Sequence, residues 1–244
     1  MKDAKYWFPA GKNGHILVAD NMFRKSLSKQ LVEECKLFYK ELFDVGPTMG
    51  GFMPNIKNSM DFNYSVGNLE AAGLATERFL TADQEIAAGL ARAICKYRDT
   101  YPSIWPWPNI HDSGFRLQHY ARSYGFYRTH CDSFPWDPPG DVGNRVLGAV
   151  IYLNDVEDGG ETYFPQHEVG VPPRAGRITL FPTSWTHPHT GLTPLSDDKW
   201  MISTFIMCST DAKPPPVYRD NDPTPLKSDN GTIDGDLENG DVNE

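Results

Sequence analysis

Apolar residues at steps of three and four open the chain's pattern: Leu27, Leu31, Val32, Cys35, Phe38, Tyr39 and Leu42 line one face of an amphipathic helix over residues 26–43. Ser26 or Ser28 can cap its start. A second stripe, Ile86, Leu90, Ile94 and Tyr97, predicts a helix over about 81–97 with Thr81 as its cap, and both stripes read as plain core. Residues 46–73 between them are rich in Gly, Asn, Met and Pro and predict loops and short strands. Residues 101–108 hold three prolines, which excludes a regular helix and marks a connection. After Gly114 the pattern turns to short β-like runs at 115–120, 127–132, 145–153, 162–164, 178–181 and 200–207, separated by turn residues. Runs at that spacing predict a sandwich or barrel. No internal repeat is evident.

Beyond Ser209 the chain becomes Pro-rich, then acidic and rich in Gly and Asn, without the apolar residues that offset chain entropy. The expected organisation is one catalytic domain over 1–211, with a helical part to about 110 and a β core over about 111–211, followed by an acidic disordered tail at 212–244. The formal net charge of −9 sits mostly at this end, where residues 211–244 hold nine acidic residues against Lys213, Arg219 and Lys227. The remaining body is only mildly acidic and lacks the basic footprint that neutralises a phosphate backbone, so nucleic acid is an unfavoured partner.

The start, Met1 to Trp7, shows no apolar stretch of signal-peptide length, and no run elsewhere reaches membrane length. A cytoplasmic location without a membrane partner is expected. Cys35, Cys95, Cys131 and Cys208 form no CxxC pair, which points to reduced thiols rather than a zinc knuckle or redox motif.

The chemistry concentrates in the β region. His130 and Asp132 are two residues apart, and on a strand positions i and i+2 project to one face. With a second histidine they would make a facial two-His-one-carboxylate set that leaves the other face of an octahedral iron open. Composition alone supplies about 0.6 such HxD pairs in a chain like this one, so the motif needs company. Candidates for the third ligand are His187 and His189, and ten residues past His189 comes Lys199, at the head of the last strong strand. A lysine there is either exposed on a sheet edge or paired with a carboxylate at the bottom of a barrel. His111, His119 and His167 read as satisfied polar residues, Cys131 as core filling, and Gly159-Gly160 as a turn that requires positive φ. Arg145 is left open between pocket cation and surface charge.

Several motifs together resemble a known family. The stretch Gln118-His-Tyr-Ala-Arg-Ser-Tyr-Gly-Phe-Tyr127-Arg-Thr-His-Cys-Asp132 is similar to the signature of prolyl 4-hydroxylase-type Fe(II)/2-oxoglutarate dependent dioxygenases. So are the segment from Arg145 through Gly159-Gly-Glu-Thr162 to Pro165, the run from Pro173 to Phe181, the His189-Thr-Gly191 step and Lys199-Trp200. The resemblance spans about 115–208 and keeps the family's order. It implies a mainly β fold with N-terminal helices, a double-stranded β-helix (jelly roll, cupin-like), with Fe(II) held by His130, Asp132 and His189. His189 is preferred to His187 because it precedes the x-Gly step. By the same resemblance, Lys199 meets the distal carboxylate of 2-oxoglutarate, and Thr162 and Tyr120 donate hydroxyls to it.

The implied reaction is hydroxylation with O₂ as cosubstrate, releasing succinate and CO₂, with ascorbate as reductant. The substrate expected is a prolyl residue in a peptide or protein, gripped by loops at 55–64 and 133–144. The alternatives are the same chemistry on another small molecule or side chain, and a catalytically silent binding module of this fold.

Overall fold

The computed structural model describes residues 14–48, 50–102, 109–134 and 144–208. The expected tail and most of two predicted connections, 103–108 and 135–143, lie outside them. In chain order the elements are β1 (Leu17–Ala19), α1 (Lys25–Leu37), α2 (Tyr39–Leu42), β2 (Asp44–Val45), β3 (Lys57–Asn58), β4 (Met60–Tyr64), α3 (Val66–Ala71), α4 (Glu77–Thr100), β5 (Ile110–Asp112), β6 (Phe115–Tyr120), β7 (Phe126–His130), β8 (Arg145–Tyr152), β9 (Thr162–Phe164), β10 (Val169–Val171), β11 (Ile178–Pro182), β12 (His189–Gly191) and β13 (Lys199–Cys208).

The first predicted stripe forms α1 and α2, separated at Phe38, whose φ of −109° and ψ of 28° leave the helical region. The second helix is longer than predicted, and its cap is Thr76, whose side chain accepts from the Phe79 backbone N–H. The stripe starts at fully buried Phe79, so Thr81 sits inside the helix rather than before it.

Two antiparallel sheets face each other. The larger runs β1-β11-β8-β13-β6-β4-β2, with β5 also paired to β13, and the smaller runs β10-β9-β12-β7-β3. Period-two alternation on the large sheet sorts its side chains into two clusters. Leu147, Ala149, Ile151, Ile178, Leu180, Trp200, Ile202 and Ile206 join the apolar faces of α1 and α4. Val150, Tyr152, Phe181, Met201 and Tyr120 point the other way and pack with Phe164, Val169 and Val171 of the small sheet. Each buried Leu or Ile contributes roughly 1.5–3 kcal/mol by leaving water. The architecture is the mainly β jelly roll with helices packed on one sheet that the sequence predicts.

The N-terminal part is not purely helical. Strand β1 extends the large sheet beside β11, and β4 pairs with β6 over the register Met60↔His119 to Tyr64↔Phe115. Residues 55–64, expected as a gripping loop, therefore contain two strands, β3 and β4, which pair in different sheets. Between these strands lies a buried polar cluster. Lys57 donates to Asp61 Oδ2 at 2.6 Å, Gln118 Nε2 donates to the same oxygen at 3.1 Å, and Ser59 Oγ donates to Asp61 Oδ1 at 2.7 Å. Lys57 is 2% exposed, so its ammonium depends on that carboxylate. Asp61→Asn is expected to destabilise the protein by about 3–5 kcal/mol, because it strands a buried charge, and Lys57→Met in the same chain should recover most of the loss. Urea denaturation of the two variants checks this: equal stability of Asp61→Asn and wild type would place the pair in open water.

Candidate metal centre and cosubstrate pocket

Strands β7 and β12 are neighbours in the small sheet, with His189 opposite His130. The pairing then slips, since Gly191 faces Tyr127: two residues separate Tyr127 from His130, where one separates His189 from Gly191. The extra residue on β7 is a bulge that breaks the alternation and puts Tyr127 and His130 on one face. Their rings stack at 3.7 Å between centroids. Asp132 lies past the end of β7, where its backbone N–H and that of Ser133 both donate to the Thr183 carbonyl at 3.0 Å. That bend, rather than a continuing strand, turns the carboxylate inward. It also leaves Cys131 half-exposed on the cavity wall instead of filling the core.

The ligand atoms of His130, Asp132 and His189 lie within 4.8 Å of one another. His130 Nε2 is 3.5 Å from one Asp132 oxygen and His189 Nε2 is 3.7 Å from the other. His130 Nδ1 lies 2.8 Å from the Arg128 carbonyl and His189 Nδ1 3.2 Å from the His187 carbonyl. A carbonyl only accepts, so each Nδ1 carries a hydrogen and each Nε2 is the ring atom turned toward the shared point. Burial pushes His189 down to about 4, which keeps it neutral near pH 7. Burial opposes ionisation of Asp132, but His189, the hydrogen bond and charge of His130, and the Arg145 guanidinium together hold it below the usual carboxylate range. Two imidazole Nε2 atoms converging on one carboxylate are the donor set a divalent iron takes.

His187 is organised differently. Its Nδ1 pairs with the Thr186 hydroxyl at 2.9 Å and its Nε2 with the Gly14 carbonyl, while its ring stacks on His167. Both nitrogens are engaged, Nδ1 locally and Nε2 in holding the N-terminal segment at Gly14.

The three groups border a cavity of about 680 Å³ between the sheets. Lys199 lines it, 1% exposed, on β13 between β8 and β6 in the interior of the large sheet, which excludes an edge lysine. Nζ donates to the Gly160 carbonyl at 3.0 Å and lies 4.5 Å from the centre of the Tyr120 ring. Gly159 and Gly160, at φ 72° and 77°, make the predicted turn that presents this carbonyl. No carboxylate among the described residues forms an ion pair with the ammonium, and burial pushes Lys199 down to about 7 against the raising effect of Glu161. Thr162, 4% exposed, accepts from Tyr152 Oη at 2.7 Å, which leaves its own hydroxyl hydrogen for another acceptor. A dry cation beside an uncommitted hydroxyl fits a carboxylate ligand.

Residues 115–207 match the model of the 2OG-Fe(II) oxygenase superfamily. The chain carries a 2OG-Fe(II) oxygenase domain. No curated protein sequence matches it. Among solved structures, the oxygenase domain and its helices are similar to a prolyl hydroxylase of Trichoplax adhaerens in complex with a hypoxia inducible factor oxygen degradation domain peptide fragment (TM-score 0.61, 16% identity, covering 82% of this chain and 86% of that one). A Pseudomonas putida prolyl-4-hydroxylase aligns with TM-score 0.58 and 18% identity over 81% of this chain and 95% of its own. The viral collagen prolyl hydroxylase of Paramecium Bursaria Chlorella virus-1, solved as a 2OG complex, gives 0.54 and 15% over 80% and 96%. The fold is therefore that of the prolyl hydroxylases.

In this oxygenase domain all six residues singled out in the sequence, His130, Asp132, His189, Lys199, Thr162 and Tyr120, line one cavity. His119 is satisfied between Tyr39 and Asp198, as expected of a structural histidine. Sequence reasoning passed over Tyr127, whose position against His130 depends on the bulge. Arg145 proves to be a cavity residue: its guanidinium donates to the Asp132 carbonyl at 3.1 Å and lies over the Phe205 ring. No helix among the described residues is long and apolar enough to cross a membrane.

Proposed function

We propose that the protein is a 2-oxoglutarate and O₂ dependent hydroxylase acting on a prolyl residue in a peptide or protein, with Fe(II) held by His130, Asp132 and His189. When bound, the iron and 2-oxoglutarate supply the oxidising chemistry, hydroxylating a C–H bond as the cosubstrate passes to succinate and CO₂. The chain's own residues position, charge-match and exclude water. Lys199 meets the distal carboxylate of 2-oxoglutarate and Thr162 donates its free hydroxyl hydrogen to it. The observation that carries the reading is the convergence of two Nε2 atoms and one carboxylate with a buried ammonium that pairs with no carboxylate among the described residues, all lining a single cavity. The prolyl substrate is carried by the fold shared with prolyl hydroxylases, one of them solved with a peptide. Ascorbate belongs to this reading only as the reductant, and no residue is assigned to it.

The test is anaerobic titration with Fe(II) and 2-oxoglutarate, followed by succinate release against a panel of proline-containing peptides. Release stimulated by no peptide would leave the oxygenase class and remove the prolyl substrate.

A pH dependence follows from Lys199. Below about pH 7 the amine carries its proton and binds a dianion directly; above it, each binding event must take up a proton. The dissociation constant of 2-oxoglutarate is expected to rise with pH above about 7, approaching tenfold per unit. Calorimetry at pH 8.5 in buffers of different ionisation enthalpy should show uptake of about one proton, and no uptake would mean that the ammonium is charged throughout or does not meet the dianion.

A further inference from the structure

The charges that line the cavity are unbalanced. Among the described residues of its wall, Asp132 is the sole carboxylate, while Lys57, Arg116, Arg145 and Lys199 bring four cations, in a chain whose formal net charge is −9. Three of the four are engaged. Lys57 is paired with Asp61 at 2.6 Å, Lys199 meets the cosubstrate in the reading above, and Arg145 donates to the Asp132 carbonyl and lies 3.8 Å from the centre of the Phe205 ring. Arg116 is held more loosely. Its Nη1 is 3.9 Å from Asp61 Oδ2, beyond hydrogen-bond length, and that oxygen already accepts from Lys57 and from Gln118 Nε2.

Arg116 marks the open end of the cavity. Its side chain is 40% exposed, whereas Tyr120, four residues on along the same face of β6, and Lys199 opposite it are 2% and 1% exposed. Its partners in register, Asn63 on β4 and Ser203 on β13, also line the cavity, and neither side chain forms a hydrogen bond with another described residue. A guanidinium flanked by an amide and a hydroxyl with donors to spare suits a carboxylate.

The distance to the metal centre sets where that carboxylate comes from. Gly148, where a Cβ would meet Asp132 Oδ2 at 3.1 Å, lies opposite Phe205, two strands and two residues from Arg116. Strand spacing and rise make that separation about 12 Å. An extended peptide advances about 3.3 Å per residue, so a carboxylate meeting Arg116 belongs to a residue within about three positions of the one hydroxylated.

We propose that Arg116 is a specificity-determining residue, and that the substrate is an acidic peptide segment with Asp or Glu within about three residues of the hydroxylated prolyl, received by Arg116 together with Asn63 and Ser203. This deepens the prolyl hydroxylase reading and rests on it. The positive mouth also draws an acidic segment toward an otherwise acidic chain.

The experiment measures binding of fluorescently labelled peptides to the full chain loaded with Fe(II) and 2-oxoglutarate without O₂, by anisotropy, with succinate release from the same peptides in air. Each proline peptide carries one Glu at a different position before or after the proline, and its control carries Gln there. At least one Glu peptide should bind on the order of tenfold tighter than its control, and Arg116→Gln should erase the difference. Arg116→Lys, which keeps the charge and loses the planar fork, should restore part of it. Raising salt from about 50 mM to about 300 mM should shrink the wild-type preference, a readout that needs no variant to fold. Equal binding of every Glu peptide and its control overturns the proposal, as does a preference that survives Arg116→Gln or is unmoved by salt. A Glu peptide with Ala in place of the proline separates the two levels. If it binds like the proline peptide and neither releases succinate, the prolyl reading fails and the acidic preference stands; if proline peptides release succinate with no preference for Glu, only the role of Arg116 fails.

Discussion

Replacing His189 with alanine is expected to abolish Fe(II)-dependent turnover and to weaken Fe(II) binding by more than the roughly 10–100-fold that loss of an outer-sphere partner costs. His187→Ala, two residues away, should keep measurable turnover and Fe(II) affinity. The difference is physical. His189 presents a lone pair on Nε2 toward Asp132, because its Nδ1 is committed to the His187 carbonyl. His187 uses Nδ1 on Thr186 and Nε2 on Gly14. Its loss should appear as a stability change of about 1 kcal/mol, the cost of leaving the half-buried Gly14 carbonyl without this partner. Anaerobic calorimetry with Fe(II) and a denaturation curve for each variant measure both effects. If Fe(II) affinity is lost in His187→Ala and kept in His189→Ala, the ligand is the other histidine.

Lys199→Ala is expected to raise the dissociation constant of 2-oxoglutarate by at least about tenfold, since a charge-assisted bond in a partly dry pocket is worth roughly 1.5–3 kcal/mol and each 1.4 kcal/mol is one decade. Fe(II) affinity without cosubstrate should change little, because Lys199 touches none of the three ligand groups. Lys199→Arg should rescue only in part: the guanidinium is longer and planar, and the space around Nζ is bounded by the Tyr120 ring, the Gly160 carbonyl and Gly191. The metal-to-ligand charge-transfer band gives the midpoint of each titration. An unchanged midpoint in Lys199→Ala would take the residue out of the site and weaken the whole assignment.

The long strands were legible in the sequence because apolar runs and alternation reflect burial that the large sheet imposes. β6 falls on its predicted bounds, β8 ends one residue early, and β13 is longer than predicted by one residue at each end. Strands of two or three residues, such as β1, β3 and β12, are too short to show a period, and their place follows from pairing partners far along the chain. The candidate site was legible as residue types in order, while its local geometry was not. Alternation puts His130 and Asp132 on one strand face, yet Asp132 is aimed by a bend beyond the strand end, and Tyr127 reaches His130 through a bulge. The Lys57–Asp61 pair was hidden as well, since an i, i+4 charge pair ordinarily suggests a helix, and here the two residues lie on different strands with Ser59 between them.

The small sheet that carries both histidines is built from strands of two to five residues, whereas β8 and β13 of the large sheet have eight and ten. Amide exchange protection follows the free energy of the opening that frees each N–H, and short ladders open below the global limit. The β7–β12 ribbon can therefore unzip while the helix-backed sheet stays folded. With Fe(II) held by His130 and His189 as proposed, metal occupancy and the local opening equilibrium would be linked: bound metal is expected to slow exchange of the ribbon's amides, and its loss to follow partial unzipping instead of whole-domain unfolding.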